Sequence, residues 1–481
     1  MNGIIYPTLD LFLYDLRNSV GAAQEELQTN LDLFLKKLPE DLHEVLFQQD
    51  TVFEDDYLEL LPKIKEFQTN GEPYPFQGYY YPVRLNDLYG LLLDCSINNQ
   101  TEAQPTASFK ELKAEIEERL NHQSATIGQT WMISGWLPQP NPNPPEKIAQ
   151  ACYKALMPSS NWERDLEGQG QFLGATIFEL SHYRLLIPEE TASPTTIQSV
   201  QENQHVIIIL YPDRATAEKS AQFYHHWLRL FSYRHKILWA YARSQFLKRT
   251  MKNRSTDLDQ HRQSISQNQT NYRENKLRDT LVRAQDSIKN YTIELYQLEF
   301  QGGIIEINLS NYEKRLGTIN ERSQATVADN LSCFDKFIKL VTDKYLLQIA
   351  KDAENLKRIL KLQEDTINVV RSRVEVEKAQ RDGSPVVRVI SFIYKSAEDS
   401  LALVLSRSDS GESRLLIASI STLEFIVFFD IKKLNWINSH TSRGAAHVIT
   451  ARLSPKIARS NSRSALSSRR LYLRSSENTS Y

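Results

Sequence analysis

The sequence predicts an N-terminal α+β or α/β layered domain followed by long antiparallel coiled-coil helices, with mainly α structure overall. Three observations predict this fold class. Short apolar runs alternate with helical patterns up to residue 211, as in layered domains of sheet and helix. From residue 213 to residue 382, apolar residues recur every three or four positions, the period of an amphipathic helix. The composition changes after that, so we expect three regions with bounds 1–211, 213–382 and 383–481.

The composition is that of a globular protein, which excludes wholesale disorder and collagen-like structure. The chain has 481 residues, 41% hydrophobic and 24% charged, enough for about two to four domains. Its cysteines (Cys95, Cys152 and Cys333) are far apart, which excludes a disulfide-rich secreted scaffold and indicates free thiols. Asp10 and Asp15 lie where an export signal would be apolar. We therefore expect a cytoplasmic protein, with a position at the inner face of a membrane as the alternative.

Apolar runs predict the strands of the first region. Leu9, Leu11 and Leu13 alternate with other residues in the first run, and the continuous run at 206–211 indicates a central strand covered on both faces. The predicted strands are 8–14, 88–95, 130–136, 171–180 and 206–211, and the predicted helices are 18–38, 55–67, 108–120 and 146–157. A partly parallel sheet is expected from this order.

Local signals mark two helix starts and two connectors. Ser108 and Glu111 have the spacing of a capping box, and Asn143 before Pro144 is typical of a helix N-terminus. The turn-rich stretch around Gly71 and the five prolines of residues 138–145 predict irregular or extended chain.

The region 213–382 predicts a helical stalk. Apolar stripes run through residues 224–242, 277–298 and 305–319, and a last helix is expected from about 329 to 382. Gly302 and Gly303 predict the corner of a hairpin between two antiparallel helices. Helices of this length need partners along their stripes, so we expect self-association through residues 213–382.

The last 99 residues form a Ser-rich basic tail. They contain 21 serines, with 14 Lys and Arg against 7 Asp and Glu. Contact with RNA or an anionic membrane is a hypothesis for this tail, and a solvated tail without function is favoured. The apolar run 415–429 is short for a membrane span and contains Glu424, so a buried strand or helix is the alternative. We expect the tail to be poorly ordered or aberrant.

No motif assigns a catalytic, cofactor-binding or metal-binding residue, so none is assigned, and no cofactor is expected. Gly168, Gly170 and Gly174 precede a predicted strand, which favours a flexible turn over a phosphate-binding loop. Asp94 ends an apolar run, a position typical of Mg²⁺ ligands, with a solvated strand end as the favoured alternative.

The histidines and the tyrosine cluster also have structural interpretations. His225 and His226 are adjacent and His235 falls on an apolar stripe, so no i, i+4 pair of metal ligands results. His182 and His205 lie near predicted strand ends without a nucleophile motif. An aromatic cluster near Arg84 has two interpretations. One is stacking on bases or sugars, and the other, which is favoured, is packing of a loop over the sheet. The cluster consists of Tyr74, Phe76, Tyr79, Tyr80 and Tyr81.

The layout of residues 1–382, an α/β domain followed by long helices, is loosely similar to that of CorA-type divalent-cation transporters. This resemblance implies C-terminal membrane helices and ion transport. The Gly-Met-Asn motif of that family is absent, since the methionines are Met1, Met132, Met157 and Met251. The stretch 369–382 also resembles the end of the stalk in uncharacterised bacterial proteins with a C-terminal membrane anchor. That resemblance implies that residues 383–481 are a frame-shifted or recombined end.

Together these patterns favour a non-enzymatic scaffold or interaction protein. Its α/β domain would bind a protein partner, and its helical stalk would oligomerise or space it from a membrane. A CorA-like channel or transporter relative is the first alternative. An enzyme with a distributed site in the α/β domain is the second, and carboxylates converging on a pocket around Asp94 would favour it.

Overall fold

The computed structural model describes residues 3–19, 23–52, 56–71, 73–140, 143–185, 201–267, 274–324 and 329–381. The chain divides into two units, Met1–Asp382 and Gly383–Tyr481. The expectations for the Ser-rich tail and its apolar run therefore lie outside the described residues. Within the described residues the first unit has a mixed sheet with helices, and 56% of its residues are helical.

Ten strands form one sheet. They are β1 (Gly3–Leu16), β2 (Leu58–Glu59), β3 (Lys65–Gln68), β4 (Phe76–Leu85), β5 (Leu88–Ile97), β6 (Ala103–Pro105), β7 (Gly128–Trp136), β8 (Leu166–Phe172), β9 (Ala175–Leu185) and β10 (Gln201–Tyr211). The order is β2-β4-β5-β1-β7-β10-β9-β8, with β3 paired to β4 and β6 to β1. Only β7 and β10 pair in parallel among the described strands, so the expected partly parallel sheet is reduced to one pair.

Helices cover both faces of the sheet. They are α1 (Gln24–Leu35), α2 (His43–Val52), α3 (Ser108–Arg119), α4 (Pro145–Leu156), α5 (Trp162–Asp165), α6 (Arg214–Ser220), α7 (Tyr224–Gln267), α8 (Glu274–Ser323), α9 (Asp335–Leu340) and α10 (Leu347–Arg381). A π-helical turn, Val341–Leu346, connects α9 to α10.

Strand alternation divides the core into two layers. In β1, Leu9 and Leu11 pack against the side covered by α1, α3 and α4, whereas Phe12 and Tyr14 face α7. The Tyr14 hydroxyl donates to the Leu228 carbonyl oxygen over 2.7 Å, which holds α7 against the sheet. The same core continues along α8 and α10, so it spans the predicted boundary at residues 211–213.

The three long helices run antiparallel to their neighbours. An ion pair joins Arg254, late in α7, to Glu294 in the first half of α8. Another pair joins Lys357 of α10 to Glu299 of α8, and Tyr312 of α8 packs against Phe337 of α9.

The predicted hairpin corner at Gly302 and Gly303 is wrong. Both glycines lie inside the continuous helix α8, between the buried Leu298 and Ile305. Packing of this buried stripe against neighbouring helices outweighs the cost of about 1 kcal/mol that glycine imposes in a helix. Helices α7 and α8 are instead separate antiparallel helices, as are α8 and α10.

Three predictions for the sheet region are also corrected. Residues 55–67 are not a helix, because Pro62 interrupts the segment and its ends pair with β4 as β2 and β3. The expected loop at 71–81 contains the start of β4, so Tyr79, Tyr80 and Tyr81 lie in a strand. The predicted strand 171–180 is a hairpin of β8 and β9, with Leu173 and Gly174 at positive φ in its turn.

No described helix is long and apolar enough to cross a membrane.

Candidate functional site

A cleft of about 660 Å³ opens at the end of the sheet where α6 and α7 begin. This volume falls within the usual range of small-molecule sites. The side chains on its walls are mainly polar or aromatic, among them Tyr79, Asp94, Ser96, Trp136, Arg214 and Tyr224. The cleft therefore has the size and chemistry of a site for a small polar ligand.

Two aspartates meet beneath this cleft because of strand register. Asp10 of β1 and Asp94 of β5 are directly opposite each other across an antiparallel pair. Their neighbours Leu9, Leu11 and Leu93 point to the opposite face and are fully buried there. Alternation along both strands thus directs the two carboxyl groups toward α7.

The two carboxyl groups share a hydrogen bond in a buried setting. Asp10 has no exposed surface, Asp94 is 9% exposed, and Asp94 lines the cleft. The Tyr224 hydroxyl donates to Asp10 Oδ2 over 2.9 Å, and the buried Asp10 Oδ1 accepts from no N–H or hydroxyl group.

Burial governs the protonation of this pair. It raises the pKa of Asp10 well above the usual range, and the neighbouring Asp94 charge raises it further. Burial also raises the pKa of Asp94 to about 7, against the lowering effect of hydrogen bonds from Asp10 and Ser96. The pair therefore binds protons more tightly than two exposed aspartates do.

Neutral hydrogen-bonding groups surround the pair. Tyr79 lies opposite Asp94 in the β4–β5 register, and burial raises its pKa well above the usual value, so it stays protonated. The Thr8 hydroxyl donates to Ser96 Oγ over 3.2 Å, and Trp136 stacks on Tyr6 with ring centres 5.5 Å apart. This wall offers hydrogen bonds and aromatic surface to a bound molecule.

Metal binding and thiol chemistry have little support in the described part of the chain. No three His, Cys, Asp or Glu side chains there are grouped as a metal site requires. The thiols of Cys95, Cys152 and Cys333 are buried, and burial raises the pKa of each.

Neither a protein-family model nor a curated protein matches this chain.

A second polar cluster is buried between the sheet and α7. Glu179 Oε1 lies 3.2 Å from His205 Nε2, and the other His205 nitrogen lies 2.8 Å from Thr130 Oγ1. The same Thr130 oxygen lies 2.8 Å from His235 Nε2, and His235 Nδ1 lies 3.0 Å from Asn203 Nδ2. Burial lowers the pKa of both histidines well below 6.5, so both rings are neutral at neutral pH.

The structure assigns most sequence candidates to structural positions. His235 is a hydrogen-bonded core residue, and His205 lies within β10 instead of at its end. The ring of His226 lies near two guanidinium groups, with Arg315 Nη1 at 2.9 Å from its Nδ1. Gly168 and Gly170 lie in β8 and pack against Asn330 and Cys333, which precede α9. This packing excludes a role as a phosphate loop.

Besides Tyr79, Asp94 is the sequence candidate that the structure places in the cleft. It is not at a solvated strand end, since β5 continues to Ile97 and the side chain is buried. Asp10 was not among the sequence candidates. The feature that distinguishes it in the sequence is a carboxylate between the apolar residues Leu9 and Leu11. A buried acid within a strand is costly unless it is paired or neutral.

Proposed function

We propose that this chain is an acid–base enzyme that acts on a small polar substrate, with Asp94 as the group that exchanges the proton. The observation that carries the proposal is the hydrogen-bonded pair of Asp10 and Asp94 beneath the cleft. Asp94 lines the cleft and has a pKa of about 7, which suits a general acid or base at neutral pH. Asp10 is a positioning residue that keeps its proton and donates to Asp94.

The contact between the two carboxyl groups favours one class of reaction. Glycoside hydrolases hold their carboxyl groups about 5 to 9 Å apart, so that the sugar or a water fits between them. Carboxyl groups in direct contact share a proton and activate a water at an acyl carbon. We therefore propose hydrolysis of a small ester or amide, in which Asp94 takes a proton from water as the new C–O bond forms. Asp94 then returns that proton to the leaving oxygen or nitrogen as the bond from this atom to the acyl carbon breaks.

Hydrolysis of small chromogenic esters and anilides tests this proposal. We expect the rate to rise with pH around 7, and Asp94→Asn to lower it by about 100-fold or more, because the amide cannot accept the proton. Asp41→Asn is the control, since Asp41 is exposed and does not line the cleft. Equal rates in both variants would contradict the proposal.

A measurement without substrate tests the same pair. Infrared spectra at different pH should contain a carboxyl band that titrates near pH 7 and is lost in Asp94→Asn. If Asp94 titrates near pH 4, the proposed acid–base role is excluded, whichever substrates are turned over.

A scaffold function is the second candidate, and one observation favours it. Large apolar side chains are exposed on α8 and α10, among them Tyr296 (73% exposed), Ile307 (65%), Leu362 (56%) and Val369 (56%). Such side chains support self-association of the helices, and the coiled-coil interpretation belongs to this candidate. Light scattering after size exclusion tests it: Ile307→Lys should shift an oligomer toward the monomer, whereas Lys361→Gln should not. A monomeric wild-type protein would exclude self-association.

A further inference from the structure

A second cleft, of about 760 Å³, is lined by residues of β8 and β9, two strands that do not line the Asp94 cleft. Its walls come from β9, from α7, and from α9 with the π-helical turn that follows it. The two clefts share no lining residue. What binds in the second cleft can therefore be tested independently of the Asp94 site.

A buried arginine supplies the most specific feature of this cleft. Arg234 of α7 is only 3% exposed and lines the cleft, with its guanidinium over the Phe337 ring at 4.3 Å. Its Nη2 donates to Ser181 Oγ over 2.7 Å, whereas its Nε and Nη1 are buried without a hydrogen-bond partner. Unpaired donors on a buried cation are costly, so they point to a ligand with anionic oxygens.

Glu179 is the nearest candidate for an internal counter-ion, but it does not pair with Arg234. No ion pair within 4.0 Å joins the two side chains, and Glu179 Oε1 is directed to His205 instead. Burial raises the pKa of Glu179 to about 7, so its charge is only partial at neutral pH. Glu179 therefore interacts with Arg234 only through its charge, and it leaves the Nε and Nη1 donors of Arg234 without a hydrogen-bond partner.

Further cations face the same cleft. Lys336 of α9 and Lys344 of the π-helical turn line it. Glu167 and Asp343 are also on its walls, but the Lys and Arg side chains outnumber the carboxylates there. A π-helical turn inside a helix frequently occurs at functional sites, because it changes the direction of the side chains it carries.

We propose that this second cleft binds the phosphate group of a small organic phosphate. The unpaired Nε or Nη1 of Arg234 forms a planar fork with the second N–H of Nη2, and such a fork matches two phosphate oxygens. Lys336 and Lys344 add charge at the rim, and the low exposure of Arg234 strengthens its interaction with the anion.

Calorimetry with inorganic pyrophosphate, inorganic phosphate and succinate tests this proposal on the full-length protein. We expect saturable binding of the two phosphate probes and weaker binding of succinate, whose carboxylates carry less charge per group. Arg234→Gln should weaken pyrophosphate binding about tenfold or more, since charged hydrogen bonds are lost. Arg234→Lys should be intermediate because it keeps the charge without the fork.

Surface variants keep the test decisive if Arg234 variants fold poorly. The double variant Lys336→Gln/Lys344→Gln changes two exposed side chains and should weaken binding at least several-fold, whereas Lys361→Gln on α10 should not. Asp94→Asn should leave phosphate binding unchanged. Absence of binding at millimolar pyrophosphate, equal binding by the double variant and wild type, or tighter binding of succinate would overturn the proposal.

Discussion

Asp10 and Asp94 are opposite each other on adjacent strands, 84 positions apart in sequence, and their carboxyl groups are hydrogen bonded beneath a solvent-open cleft. Two acids in contact cannot both ionise without strong repulsion, so the pair retains a proton at neutral pH. The strands around them are among the most buried of the sheet. The pairing of Asp10 with Asp94 thus holds a proton-exchanging group between two buried strands. It also makes the free energy of unfolding depend on pH.

The first prediction concerns that pH dependence. The folded pKa of Asp94 is about 7, above its ordinary value of 3.8, so the folded state binds more protons than the unfolded state between those limits. The free energy of unfolding should therefore fall as pH rises from about 4 to about 7. Asp94→Asn should flatten this change and make the protein roughly 2 to 4 kcal/mol more stable at pH 8 relative to wild type.

Urea unfolding at pH 5 and pH 8 measures this effect. The prediction fails if Asp94→Asn lowers the free energy of unfolding by the same amount at both pH values. Asp41→Asn is again the matched control, because Asp41 is exposed and its pKa is lowered, chiefly by the hydrogen bond from Lys65.

The second prediction concerns the hydroxyl between two buried histidines. Thr130 Oγ1 lies 2.8 Å from a ring nitrogen of His205 and 2.8 Å from one of His235. Thr130→Val keeps the shape but leaves two buried nitrogens without that partner, so we expect a loss of about 2 to 4 kcal/mol in the free energy of unfolding. Thr292→Val, at an exposed helix position, should change it by less than about 0.5 kcal/mol. Equal effects of the two substitutions in denaturant titrations would contradict a structural role for the Thr130 hydroxyl.

The third prediction concerns a buried ion pair between the end of β1 and the residues that follow α1. Lys37 Nζ lies 2.9 Å from Asp15 Oδ2, and both side chains are almost fully buried. Lys37→Met should destabilise the fold by about 3 to 5 kcal/mol, because Asp15 would be left without its counter-ion. The adjacent Lys36 is exposed, so Lys36→Met should be nearly neutral. Thermal unfolding of both variants measures the difference, and similar melting temperatures would count against the pair.

The fourth prediction distinguishes the continuous helix α8 from a hairpin corner at the same glycines. A Cβ at Gly303 would meet nothing within 4 Å, and one at Gly302 would lie 3.5 Å from Ile349 Cγ2, an ordinary contact. Gly302→Ala and Gly303→Ala should each stabilise the protein by roughly 0.5 to 1 kcal/mol. Gly135→Ala should instead destabilise it, because φ is +153° there and its Cβ would lie 2.3 Å from Ile4 Cγ2. If chain reversal occurred at residues 302–303, the two helical substitutions would be destabilising in the same assay.

The sequence by itself determined the local elements of this protein. The alternation around Leu11, the helix pattern of α3 and the three- and four-residue spacing along α8 each predicted the right kind of structure. These periods are readable because each follows from the geometry of one strand or one helix with one buried side. The same kind of local pattern made Asp94 a candidate, because it is an acid at the end of an apolar run.

Only the tertiary structure decided what those elements bring together. Strand register places Asp10 against Asp94, and the packing of α7 on the sheet brings Tyr224 to the pair and Arg234 to the second cleft. Packing along both sides of Gly302 kept α8 continuous where local propensity predicted a turn. Contacts between residues far apart in the chain depend on loop closure and shared burial. A local periodicity in the sequence does not predict them.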